Sequence, residues 1–92
     1  MLESKIEKAV CAYAKSLGWL VYKWVSPGNR GVLDRFFIRD GVIIFIEFKA
    51  LGKKPSKLQQ KVIHTLKHNK CKVYVVDSVA KGKSIFDTYE DI

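Results

Sequence analysis

The sequence is poor in cysteine and in acidic residues, and it has no long apolar run. Its only cysteines, Cys11 and Cys71, stand far apart and in no metal-ligand spacing. That pattern fits structural thiols better than a disulfide or a zinc site. No apolar stretch approaches the roughly 20 residues needed to cross a bilayer, and no charged-apolar-small sequence opens the chain as a signal peptide would. The expectation is a soluble, cytoplasmic protein with no membrane partner. Repeats, low-complexity segments and dividing linkers are also missing, so one domain over residues 1–92 is expected, small enough for self-association to supplement its core.

The scarcity of acid is what makes the chain basic. Seventeen Lys and Arg against nine Asp and Glu leave a formal charge of +8. Such a surface attracts polyanions, of which nucleic acid is the commonest inside a cell, although charge can also serve solubility alone. Charge implies no chemistry.

Residues 4–17 read as a helix, with Ile6, Ala9, Val10, Tyr13, Ala14 and Leu17 on one stripe, Gly18 ending it, and Ser4 with Glu7 in capping-box spacing. Residues 19–25 read as a strand rich in aromatic and β-branched side chains, followed by a loop over residues 26–31. A second strand over residues 32–38 has Asp34 near its start, and Arg39-Asp40-Gly41 supplies a hairpin turn into a third strand beginning at Val42. A basic loop leads to a helix from about Ser56 to Asn69, with Leu58, Val62, Ile63 and Leu66 as its inner stripe and Ser56 with Gln59 as a second capping box. The strand over residues 72–76 should lie parallel to the third strand through that crossover. Residues 78–92 suggest a last helix, weakened by Gly82. The fold class expected is α/β, a mixed β-sheet flanked by helices in the order α-β-β-β-α-β-α.

The third strand needs explaining. Val42, Ile44, Ile46 and Phe48 share one face, while Ile43 and Phe45 share the other with Glu47 and Lys49. Burying two charges at the end of an apolar strand is costly unless they serve each other, a metal or a ligand. A close hairpin would also bring Asp34 to the same edge as Glu47. Two hard oxygen donors at one point suit Mg²⁺ or Mn²⁺, and a lysine beside them can orient a water or steady developing charge. Taken singly, Glu47 and Lys49 could be solvated charges at a strand end, and Asp34 could pair with Arg35 or Arg30.

Gly31-Val32-Leu33-Asp34, then Glu47-Phe48-Lys49, then Ser56-Lys57-Leu58-Gln59 together resemble the VRR-NUC domain family, a branch of the PD-(D/E)XK nuclease superfamily. The resemblance spans nearly the whole chain and implies a restriction-endonuclease-like domain of stand-alone minimal type. Leu33 departs from the proline usual in the family, at a position that shapes backbone and supplies no ligand. The resemblance implies that Asp34, Glu47 and the main-chain carbonyl of Phe48 hold the metal, and that Lys49 assists the attacking water. It also implies that Gln59 steadies Lys49 or a phosphate oxygen, with the cap of Ser56 as a competing role; Gln60 points about 100° away around the helix. An acidic residue of the first helix would complete the site. Both Glu3 and Glu7 qualify, and Glu7 is preferred because it lies within the helix, although it could instead complete the Ser4 cap.

The activity implied is a Mg²⁺- or Mn²⁺-dependent DNA endonuclease, a homodimer cutting branched DNA such as four-way junctions, often encoded by viruses of bacteria and then acting in the host cell. Lys23, Arg30, Arg35, Lys53, Lys54, Lys57 and Lys61 surround the candidate site in sequence and could hold phosphates of the DNA without reading its bases. His64 and His68 have no partner in ligand spacing, while Trp19, Tyr22 and Trp24 could form core, stack on bases or complete a subunit interface. The rival reading is a non-catalytic nucleic-acid-binding module on a nuclease fold.

Overall fold

The fold closes on the apolar stripe of its first helix. In a computed structural model, which describes residues 1–89, α1 spans Glu3–Ser16 and buries Ile6, Val10, Cys11 and Ala14. The expected Ser4 cap is not formed: Leu2 is the N-cap and makes no side-chain cap bond. The helix starts one residue early, which places Ser4 inside its first turn, and the Glu7 carboxylate is drawn away to Arg35. Gly18 ends the helix with a φ of 90°, and the Trp19 N–H donates back to the Ala14 carbonyl. That bond makes Trp19 part of the helix closure. Its ring enters the core edge-on to Phe86 and Tyr89, so β1 is only Leu20–Lys23, shorter than the sequence suggests.

The remaining elements are β2 (Arg35–Arg39), β3 (Val42–Phe48), α2 (Lys57–His68), β4 (Lys72–Val76) and α3 (Val79–Asp87). Among the described residues these make three helices and a four-stranded mixed sheet ordered β1-β2-β3-β4, in the chain order α-β-β-β-α-β-α. Strands β1 and β2 pair antiparallel, as do β2 and β3, while β3 and β4 pair parallel across the α2 crossover. Asp40 and Gly41 take φ values of 49° and 80° between the paired residues Arg39 and Val42. Consecutive positive φ angles suit a two-residue hairpin whose twist matches its strands. The hairpin therefore fixes the register that places Arg35 opposite Ile46.

Helices α1 and α3 cover one sheet face, where Phe37, Ile44, Ile46, Phe48 and Val76 join Ile6, Val10 and Phe86 in the core. Gly82 does not break α3. A Cβ there would lie 2.4 Å from Val10 Cγ2, so the glycine lets the two helices approach. The other face is thinly covered. None of the residues of α2 is buried, and Leu58, expected on the inner stripe, is 50% exposed. The helix packs on β4, towards one side of the sheet, so the apolar surface beyond it remains open. Leu20, Tyr22 and Ile43 are exposed there, and the rings of Tyr22, Phe36, Phe45 and Trp24 follow one another across the strands. The C-terminal helix expected over residues 78–92 runs only over Val79–Asp87 and gives way to a turn at Thr88 and Tyr89, while residues 90–92 of that expectation lie outside the described residues.

Candidate active site

The register of the hairpin assembles the site. One step beyond the Arg35–Ile46 pair, Asp34 comes opposite Glu47, where β2 begins and β3 ends. Asp34 lies just before β2 rather than within a strand starting at residue 32. Its main-chain carbonyl accepts from the Trp24 N–H at 3.0 Å, and its Oδ2 accepts from the Phe48 N–H at 2.7 Å. The aspartate thus clasps the end of β3, which fixes its carboxylate beside that of Glu47.

Glu47 is 2% exposed, the one buried charged residue among those described. Its Oε2 accepts from Gln59 Nε2 at 2.7 Å and faces Lys49 Nζ at 3.2 Å, while its Oε1 is buried with no hydrogen-bond partner. Gln59 is positioned by the first turn of α2. The Ser56 N–H donates to Gln59 Oε1 at 2.9 Å, and Ser56 Oγ accepts from the Gln59 N–H at 3.2 Å. Such a capping box satisfies two helix N–H groups at once. The same side chain therefore closes the cap with its oxygen and holds Glu47 with its nitrogen.

Burial, reinforced by the neighbouring Asp34 charge, pushes the Glu47 carboxyl up to about 7 against the pull of Lys49. Burial also raises Asp34, opposed by its bond from the Phe48 N–H. Two carboxyls thus resist ionising beside each other, and one keeps an unpaired buried oxygen. A divalent cation would relieve that resistance. The donors present, two carboxylates and the nearby Phe48 carbonyl, are hard oxygens, the type that Mg²⁺ or Mn²⁺ prefers. No group of three or more His, Cys, Asp or Glu residues suited to a metal occurs among the described residues, so main-chain oxygen, water or substrate would complete the coordination.

No family model matches the sequence. A solved chain described as "VRR_NUC domain" superposes with a TM-score of 0.87 at 27% sequence identity, covering 95% of this chain and 96% of that one. In fold, the chain is similar to this VRR-NUC domain over nearly its whole length. A protein named "Putative nuclease p44", from Acyrthosiphon pisum secondary endosymbiont phage 1, is 47% identical over 58 residues. That match takes in 62% of this chain and 62% of the relative, less than two thirds of its length.

Within this fold, Asp34, Glu47, Lys49 and Gln59 come together at one corner. Gln59 reaches Glu47, rather than Lys49 or open space for a phosphate, and it caps the helix as well. Glu7 stands differently. It lies on α1, across the sheet from α2, and its Oε2 accepts from Arg35 Nε at 2.7 Å, so each is bound to the other. The Glu7 charge still reaches Asp34, and that of Glu3 reaches Glu47, in both cases raising the carboxyl pKa. Lys23, Arg30, Lys53, Lys54, Lys57 and Lys61 are exposed. The bond from the Phe48 N–H to Asp34 has no side-chain signature and could not be read from the sequence. The groove lined by Trp24, Arg30 and Lys61 also escapes the sequence, because it forms between a loop and a helix distant in the chain.

Proposed function

We propose that this chain is a Mg²⁺- or Mn²⁺-dependent endonuclease that hydrolyses phosphodiester bonds of DNA, with residues 1–92 acting as one nuclease domain. The observation that carries this reading is Glu47: a buried carboxylate with one unpaired oxygen, beside Asp34 and 3.2 Å from the Lys49 ammonium. The nuclease name of the phage relative supports the same reaction class. A bound cation supplies a Lewis acid and lowers the pKa of water.

Asp34, Glu47 and the Phe48 carbonyl present the oxygens that hold the cation. The Phe48 N–H and the Gln59 amide keep the two carboxylates in place. Lys49 holds positive charge where the phosphate gains negative charge as water oxygen bonds to phosphorus and the bond to the leaving oxygen breaks. It also orients the attacking water. Exposed lysines at the start of α2 and in the loop before it, Lys53, Lys54 and Lys57, bind phosphates flanking that bond. Lys23, Arg30 and Lys61 extend this contact. Glu7 shapes the corner through its field and its grip on Arg35.

The enzyme works as a homodimer on branched DNA such as four-way junctions, in the cytoplasm of a bacterial host if phage-encoded. Two sites related by a two-fold axis suit two symmetric cuts. The open sheet face around Leu20, Tyr22 and Ile43 supplies an apolar surface for a second copy. Incubation with linear duplex, flap and four-way-junction DNA, in Mg²⁺, Mn²⁺ or EDTA, tests the proposal. Cleavage should need the cation, favour the junction and fall at least about a hundredfold in Lys49→Ala, as when a charge that stabilises the transition state is removed. Binding without cleavage under either ion would instead favour a non-catalytic DNA-binding module.

A further inference from the structure

We infer that the groove between α2 and the connection from β1 to β2 receives the base of an unpaired nucleotide close to the bond that is cut. The inference rests on the nuclease reading above, because it takes DNA as the ligand. Trp24 forms one wall of the groove, Val32, Leu58 and Val62 give it an apolar lining, and Arg30 and Lys61 bring cations to it. Its volume is about 450 Å³, within the roughly 300–1,000 Å³ of small-ligand sites. Leu58 remains half exposed there, an apolar side chain that the fold itself does not cover.

The groove borders the reacting corner along two elements. Val32 precedes Asp34 by two residues, and Leu58 and Lys61 lie one residue before and two residues after Gln59, whose amide holds Glu47. Its walls are also tied together. Gly31 sits so close to α2 that a Cβ would lie 2.9 Å from the Leu58 main chain, which fixes the loop against the helix. Trp24 is braced by Phe45, with ring centroids 5.0 Å apart.

An aromatic wall with cations alongside is the chemistry that binds a nucleotide: the ring stacks on the base, and Arg or Lys meets the phosphate. Bases inside an intact duplex are stacked on both sides and cannot offer a face to Trp24, so the occupant is an unpaired nucleotide. A second copy of this chain fits less well. It would bring another +8 towards Arg30 and Lys61, whereas a nucleic-acid strand brings the opposite charge.

Fluorescence anisotropy in EDTA separates binding from cleavage. The probes are a blunt duplex, the same duplex with a single-stranded tail, and that duplex with an abasic tail. The base-bearing tail should bind at least about fivefold more tightly than the abasic one, the lower end of what one stacked base contributes. Trp24→Ala should erase that difference. So should Thr65→Trp, which fills the groove from an exposed position on α2 and leaves the core untouched. Equal affinity for base-bearing and abasic tails would overturn the inference, as would a preference that survives Thr65→Trp. Trp24→Ala that instead halves the mass of the protein in light scattering, with both tails losing affinity together, would mark the groove as a subunit interface and also overturn it. Absence of cleavage in Mg²⁺ or Mn²⁺ would count against the nuclease reading alone, since the tail comparison needs no turnover.

Discussion

Glu47 is costly for the fold when it ionises. Its carboxyl ordinarily titrates near 4.5, and burial with the Asp34 charge beside it raises that to about 7. Between those values the folded protein holds a proton that the unfolded chain has released. The stability linked to this group is therefore fully present below about 4.5 and is lost as pH rises through about 7, with a slope of up to about 1.4 kcal/mol per pH unit. Glu47→Gln keeps the shape and carries no charge. Thermal unfolding in EDTA at a pH below 4.5 and another above 7 should show the wild-type protein losing more stability than the variant. At the higher pH the variant should be the more stable of the two. Parallel losses would mean that Glu47 ionises without difficulty.

At the scale of elements, the hairpin and α2 deliver the site between them. The hairpin was legible because Asp-Gly marks a two-residue turn, and the register that follows puts Asp34 level with Glu47. The two apolar faces of β3 showed that Glu47 and Lys49 were charges in need of partners, and the order of elements was legible for the same reason of periodicity. Capping was less so. Ser4 and Glu7 have the same spacing as Ser56 and Gln59, yet the first pair makes no cap, because Glu7 meets Arg35 from a distant strand. The Gln59 contact to Glu47 was hidden for a related reason: a capping box is local, and nothing in its spacing says where the second end of an amide points.

That shared amide gives α2 a measurable consequence. Ser56→Ala should lower stability by about 1 kcal/mol through loss of the cap, and it should also slow cleavage, because Gln59 is then less firmly held against Glu47. Chemical denaturation and single-turnover cleavage of the same preparation check both. A normal cleavage rate in a destabilised variant would confine Ser56 to the helix cap.

At the scale of the whole molecule, one sheet face is sealed by α1 and α3 and the other is left partly open. The sealed face holds the domain together, and α2 with its exposed lysines lies on the open side. The carboxyl corner lies at the end of β3 on this side, within a chain whose net charge is +8. Negative charge concentrated in a basic molecule is the arrangement expected where a cation and a polyanion must meet at one point. Calorimetric titration of Mn²⁺ into the DNA-free protein, at a pH above the Glu47 midpoint, asks directly whether that corner is a cation site. Saturable binding by the wild-type protein that is lost in Glu47→Gln is the result this account predicts; equal binding by the two proteins, or none by the wild type, would contradict it.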